Sequence, residues 1–372
     1  MRVLHLIARL NVGGTARYIT RLAEEMPARG IETFVATGYV QGDETEDSST
    51  QTIDVIRVAS LGRAINPVKD LQARNELLKI VEKVQPDVLH THTFKAGVIG
   101  RARIRQINRA AGKELEFVHT FHGHLFDDPE FSSVKNWAIT ALERRYAMRT
   151  NALVTVGEQV SKDLLQREVG NPNQYLNIPP GVDALHVTPR QQAFANLHIE
   201  DDGRIVIGWI ARVTGVKNPL RALEVARAIP DAHFVMAGGG DLLETIRAAA
   251  PGNVTVLGWA DARDLFGVSD VVLSTSENEG MPIALIEAQL AGKPVVATNV
   301  GAVAEVIANG ETGYVVATKT VDLVAAINKL ITNPQLRERF GVVATVRATS
   351  LFSVERMINA HLELYQSLRE PD

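Results

Sequence analysis

At 372 residues the chain is too long for one comfortable core, so two domains are expected. It is 45% hydrophobic and 22% charged with a formal net charge of −4, the make-up of a globular protein with no general attraction for nucleic acid. The absence of cysteine excludes disulfides, thiolate catalysis, cysteine-ligated zinc and iron–sulfur clusters, and fits a reducing compartment.

The opening Met1–Ile7 run is apolar, but His5, Arg9 and Asn11 interrupt it well short of a signal core. No stretch approaches the roughly 18 consecutive apolar residues of a membrane span. A cytoplasmic protein is expected. Short aliphatic runs then alternate with longer amphipathic segments, the pattern of βαβ units around a parallel sheet. In the first half, strands are expected at 3–7, 33–37, 53–58, 88–90, 117–120 and 153–156, with helices at 15–29, 67–84, 96–111 and 134–148. The acidic, serine- and threonine-rich stretch from Gly42 to Ser49 reads as a mobile surface loop. Pro179, Pro180 and Gly181 interrupt the pattern and mark a hinge, dividing a domain 1–183 from a domain 184–353. The second alternation places strands at 204–209, 233–236, 254–257, 271–273, 294–297 and 313–316, and helices at 218–228, 282–291 and 321–332. A last amphipathic helix, about 354–368, has no strand after it. The architecture this supports is α/β: two Rossmann-like, doubly wound domains facing each other across a cleft, with ligands at the carboxyl ends of the strands.

The loops at those ends carry the candidate chemistry. Ser276 to Pro282 joins a strand to a helix, and Pro282 suits the first helical position. The amides of Gly280, Met281 and Pro282 then lie at a positive helix end, suited to anionic or hydroxyl-rich ligands. Glu279 precedes that helix and Glu287 sits inside it, so the two carboxylates could grip two hydroxyl-bearing parts of one ligand. Two exposed helix glutamates would give the same spacing. Arg212 and Lys217 flank Gly215 in another strand-to-helix loop, where they could neutralise a departing diphosphate without a metal or form a solvated pair. Gly238 to Gly240 would let backbone approach a ligand closely, although Leu243 stands where a dinucleotide fingerprint needs its third glycine. There is no Walker phosphate loop and no Asp-x-Asp metal anchor.

In the first half, Gly13 and Gly14 join the first strand to the first helix. His90 and His92, and His122 and His124, stand at strand ends. The histidines of each pair are expected to point apart, so no metal site is expected. A hydrogen-bonding role at the cleft mouth suits His122. Arg101, Arg105 and Arg109 recur every four residues on one expected helix. That stripe reads as a solvated face or as a contact for an acceptor or an anionic membrane.

Taken in order, these residues resemble the family-4 retaining glycosyltransferases of the GT-B fold over nearly the whole chain. The set comprises Gly13-Gly14, His122, Asn177 with Gly181-Val182-Asp183, Arg212 with Lys217, Gly238 to Gly240, Glu279 with Glu287, Gly301 and Glu305, then Gly310 and Gly313. The resemblance implies transfer of a sugar from a nucleotide-diphosphate sugar, by family frequency a UDP-sugar, to an acceptor hydroxyl. It implies retention of configuration by same-face substitution without a metal or other cofactor. It assigns the ribose hydroxyls to Glu287 and the donor sugar to Glu279. Sugar or phosphate contacts fall to the amides near Gly280, Met281 and Pro282, and the diphosphate to Arg212 and Lys217. The base border falls to the backbone at Trp259, the donor sugar from the other domain to His122, and closure over the phosphates to Gly13-Gly14. It also implies a last helix crossing back to the first domain. Ala302 and Ala304 depart from the family's usual glycine and proline. The competing readings are a sugar-nucleotide epimerase on the same fold, a non-catalytic sugar-nucleotide sensor and, more distantly, a nicotinamide dehydrogenase.

Overall fold

A computed structural model of the chain describes residues 1–42, 44–62, 66–123 and 132–369. The chain forms two compact units, Met1–Gly181 with Val354–Asp372, and Val182–Ser353. The division follows Gly181 rather than residue 183. His124 lies outside the described residues.

Each unit is built on one parallel sheet. The first holds β1 (Arg2–Ile7), β2 (Glu32–Thr37), β3 (Val55–Arg57), β4 (Val88–His92), β5 (Glu116–Phe121), β6 (Ala152–Thr155) and β7 (Tyr175–Asn177), in the order β3-β2-β1-β4-β5-β6-β7. The second holds β8 (Val206–Ile210), β9 (His233–Ala237), β10 (Val254–Gly258), β11 (Val271–Ser274), β12 (Val295–Thr298) and β13 (Gly313–Val316), in the order β10-β9-β8-β11-β12-β13. Both sheets reverse their winding once, between β1 and β4 and between β8 and β11. Open parallel sheets leave their ligand crevice at that reversal, outside the carboxyl ends of the strands.

Helices cover both faces, which is why the central strands β11 and β12 read as unbroken apolar runs. The second core is built from Trp209, Phe234, Leu273, Leu323 and Phe340, among others. In the first unit the helix Val354–Ser367 seals the core by burying Met357, Ile358, Leu364 and Tyr365 against residues such as Tyr18, Ile178 and Val154. The strands of that sheet nevertheless bury polar side chains: His5, His90, Thr91, His92, His119 and Thr120 all have no exposed surface.

Several local expectations change. The single helix expected over 96–111 is two, Thr93–Arg101 and Ile104–Ala111, broken at Arg103 where φ is −133° and ψ 51°. Arg101 does not join a basic stripe. It is fully buried and donates to Glu143 at 2.8 Å, while Arg105 and Arg109 are exposed. The stretch from Glu44 to Ser49 is no free loop: Val12 N–H donates to Thr45 O and Asp47 N–H to Leu10 O, both at 2.9 Å, and Asp47 is buried. β7 was not expected from the sequence; it forms a three-residue edge strand just before the prolines.

Candidate functional site

In the second unit two of the sequence-predicted residues, Lys217 and Glu279, meet at the reversal between β8 and β11. Lys217 follows β8 and Glu279 follows β11, and Lys217 Nζ lies 2.5 Å from Glu279 Oε1. Ser276 Oγ donates to the same oxygen at 2.7 Å. Thr275 ties the two loops from beneath. Its hydroxyl accepts from Trp209 Nε1 at 3.0 Å and lies 2.9 and 3.0 Å from the carbonyls of Lys217 and Asn218. A second pair, not singled out from sequence, stands beside the first: Arg221 Nη2 donates to Glu277 Oε1 at 2.5 Å, and Asn218 Nδ2 to the same oxygen at 2.6 Å. The carboxylates of Glu277 and Glu279 are thus held by separate cations, each from the loop and helix that follow β8.

The backbone around Glu279 is clamped. Ala302 N–H donates to Gly280 O at 3.1 Å. Gly301 has φ +50°, and a Cβ there would lie 1.7 Å from Glu279 O, so only glycine fits the turn. Pro282 is the N-cap rather than the first helical residue, with φ −78° and ψ 98°, and the helix runs Ile283–Leu290. Met281 and Pro282 are buried, and Glu287 is half-buried inside the helix.

Arg212 is exposed in the loop after β8. Its neighbour Val213 donates N–H to Gly239 O at 2.9 Å. The glycines 238–240 serve this contact: a Cβ at Gly238 would lie 1.8 Å from Ala211 O, so the backbone they admit is the protein's own. Trp259 is 68% exposed, with its indole against Gly239. Thr214, between Arg212 and Lys217 in sequence, has a buried hydroxyl with no hydrogen-bond partner among the described residues. A threonine in such a loop carries no distinguishing sequence signal.

The first unit places its candidates at the reversal between β1 and β4 and on the next strand. Gly13 is the N-cap of the helix Gly14–Glu25, and its N–H donates to Asp47 Oδ2 at 3.3 Å. His122 directly follows β5. His90 and His92 do not point apart. Two residues separate side chains on the same face of a strand, and the two rings stack with centroids 4.2 Å apart. His5 of β1 joins them, and one ring nitrogen from each of His5, His90 and His92 falls within 4.8 Å of the others. A metal there would compete with hydrogen bonds already made. His90 Nδ1 and Nε2 lie 2.7 Å from the hydroxyls of Tyr365 and Thr120, and His5 Nδ1 lies 2.9 Å from His92 Nε2. His92 Nδ1 in turn lies 3.1 Å from His122 Nε2. Burial, then the neighbouring His361, pushes His5 and His122 down to about 3, and burial takes His361 down to about 4. His90, His92 and His119 are pushed down by the same burial. Thr93, next to His92, holds φ +65°, a strained value for a β-branched residue and of the kind that clusters at functional sites.

The group 1 glycosyl transferase family matches residues 190–346, and the glycosyl transferase 4-like domain matches residues 13–181. The chain belongs to the family-4 glycosyltransferases. It is 28% identical over 296 residues to the UDP-Gal:alpha-D-GlcNAc-diphosphoundecaprenol alpha-1,3-galactosyltransferase of Escherichia coli, covering 74% of this chain and 73% of that one. Among solved structures, sucrose-phosphate synthase from Thermosynechococcus elongatus superposes with a TM-score of 0.82 at 19% identity, over 99% of both chains. HepE from Anabaena in complex with UDP-glucose gives 0.80 at 19% identity, over 99% of this chain and 100% of that one. The fold of this glycosyltransferase is accordingly GT-B, two Rossmann-like domains each on a parallel sheet. Among the described residues, no helix is long and apolar enough to cross a membrane.

Proposed function

We propose that this glycosyltransferase moves a sugar from a UDP-sugar to an acceptor hydroxyl with retention of configuration and without a metal. The observation that carries the reading is the Lys217–Glu279 pair at the winding reversal of the C-terminal sheet. An ammonium has three N–H donors; Glu279 takes one, and the others suit phosphate oxygens. With Arg212 in the same loop, the cations stand where negative charge develops as the anomeric carbon leaves the diphosphate. No Asp-x-Asp anchor stands in the sequence to bring a metal to that charge. In the step we favour, the bond from the anomeric carbon to the diphosphate oxygen breaks. The acceptor oxygen bonds to that carbon on the same face, and its proton passes to the departing diphosphate. Glu287 takes the ribose hydroxyls and Glu279 the sugar, the amides of Gly280, Met281 and Pro282 take sugar or phosphate, and the backbone at Trp259 borders the base. His122, Gly13 and Gly14 are the first domain's contribution. UDP is favoured because the Escherichia coli relative is named for a UDP-sugar and HepE was crystallised with UDP-glucose.

For the acceptor side, we place the protein in the cytoplasm with a peripheral contact on the inner membrane face. Arg101 cannot serve that contact. Arg105 and Arg109 are exposed, as are Val134 and Trp137 on the helix Ser133–Ala147, with Arg145, Met148 and Arg149 at its end. Aromatic and aliphatic groups beside arginines match an anionic bilayer surface.

The test is a thermal-shift panel of UDP, GDP, ADP and their sugars in EDTA, on wild type and Glu287→Ala. A ligand at about 100 times its dissociation constant adds about 2.7 kcal/mol of stability. Stabilisation by UDP and UDP-sugars in EDTA, lost in the variant, is expected. Stabilisation by no nucleotide, or only after metal is restored, would overturn the reading.

A further inference from the structure

The buried histidines of the first unit take no part in the reaction described above beyond His122. His5, His92 and His122 form one chain of nitrogens, His5 Nδ1 to His92 Nε2 at 2.9 Å and His92 Nδ1 to His122 Nε2 at 3.1 Å. Each link needs one N–H and one lone pair, so a neutral chain can carry its protons in only two ways. Running outward, every ring carries its proton on Nδ1, and His5 Nε2 at the buried end is a lone pair. Running inward, every ring carries it on Nε2, and His5 Nε2 becomes a buried N–H. That nitrogen is buried and has no hydrogen-bond partner among the described residues. An orphaned buried N–H is rarer in folded proteins than an under-used acceptor, so the outward arrangement is the stable one.

We infer that His5 and His92 are positioning residues that hold His122 as a neutral imidazole with its proton on Nδ1, presenting a fixed N–H donor at the carboxyl end of β5. This rests on the reading of His122 as a donor-sugar contact and deepens it: a neutral N–H suits a sugar hydroxyl or ring oxygen and gives no charge to the diphosphate. The surroundings keep the chain neutral. The titratable groups facing it are the rings of His90, His119, Tyr18, His361 and Tyr365, with Tyr18 set edge-on to His122 at 4.9 Å and His90 stacked on His92. Burial holds the histidines below their ordinary range and the two tyrosines above theirs. His361 is locked by its own bonds, Nδ1 to Met357 O at 2.9 Å and Nε2 to the Tyr18 hydroxyl at 3.1 Å. Tyr18 is therefore left to pack on His122 rather than bond it. Among the described residues, His122 Nδ1 has no partner competing for its proton.

The experiment is a long-range proton–nitrogen correlation spectrum of the full chain labelled with 15N-histidine, at pH 7 and without donor, with His122 assigned by its loss in His122→Gln. The expected result is His122 neutral and protonated on Nδ1. An imidazolium, or a ring protonated on Nε2, would overturn the inference in the wild-type protein alone, whether or not any variant folds. In His92→Asp, whose carboxylate puts an acceptor where Nδ1 had donated, His122 should take up a proton on Nε2. His92→Asn, whose amide can occupy the place of Nδ1, should restore the form protonated on Nδ1. An unchanged His122 in a folded His92→Asp protein also sinks the inference. Because no nucleotide is present, this outcome is separate from the thermal-shift panel. The relay can stand while the UDP-sugar reading falls, and the reverse.

Discussion

Lys217 and Glu279, 62 residues apart in sequence, meet at 2.5 Å because β8 and β11 are neighbours at the one place where the C-terminal sheet reverses its winding. A cation and a carboxylate joined this way hold each other's geometry before any ligand arrives. In the proposed reaction the lysine meets the leaving diphosphate and the carboxylate the sugar. Lys217→Ala and Glu279→Ala should each lower the turnover number by about 10²–10³. Both are partly exposed, so the melting temperature should move little. Turnover within threefold of wild type in either variant would remove the pair from the mechanism.

Gly301 sets the position of Glu279 from the next loop. A methyl group there would overlap Glu279 O and would also have to adopt φ +50°. Gly301→Ala should destabilise the protein by about 1–3 kcal/mol and weaken stabilisation by UDP, because Glu279 and the Gly280 amide must move. Chemical denaturation with and without UDP would measure both effects. A variant as stable as wild type with full UDP stabilisation would show that the clamp is not needed.

The Arg101–Glu143 pair predicts a stability effect rather than a surface effect. Both side chains are almost fully buried, and Arg101 Nη1 and Glu143 Oε1 have no further partner among the described residues. Glu143→Ala leaves a buried guanidinium uncompensated and should cost about 3–5 kcal/mol. The double variant Arg101→Met, Glu143→Leu should recover most of that in a denaturation series. A single variant losing less than about 1 kcal/mol would mean the arginine reaches solvent.

Acid should unfold the first domain early. In the unfolded chain the rings of His5, His122 and His361 take up protons near 6.5, but in the fold only near 3, 3 and 4. Across that window the unfolded state binds more protons, so stability is fully present above about 6.5 and falls as pH drops toward 4. Each ring contributes about 1.4 kcal/mol per pH unit within the window. Melting temperatures at pH 7, 6 and 5 should drop progressively; a flat profile down to pH 5 would contradict the neutral cluster.

Peripheral membrane contact predicts co-sedimentation with vesicles containing about one-third phosphatidylglycerol. Binding should weaken with salt and in Trp137→Ser with Arg145→Glu, while phosphatidylcholine vesicles should bind less. Equal recovery on both vesicle types, or no change in the double variant, would remove the contact.

The alternation of aliphatic runs with amphipathic segments was enough to place every described strand but β7, because strands buried on two faces are mostly apolar and register as runs even where the first sheet also buries polar side chains. Among the loop residues, Gly13, Lys217 and Glu279 stood out as glycine or charge in strand-to-helix loops, and Gly301 only through the family resemblance; the pairing of Lys217 with Glu279 and the clamp at Gly301 came from the tertiary structure. Edge strand β7 was not legible, since three half-exposed residues leave no period. Nor was the fate of Arg101: four-residue spacing looks the same on a solvated helix and on one that ends where a glutamate from another helix is waiting. The histidines mark the limit most sharply. Sequence shows His5 as a polar break in the first apolar run, and His90, His92 and His122 as polar residues at strand ends. Only the parallel register of β1, β4 and β5 joins His5, His92 and His122 into one buried, hydrogen-bonded chain with His90 stacked on it, because contacts across a sheet depend on which strands are neighbours, and no local pattern encodes that.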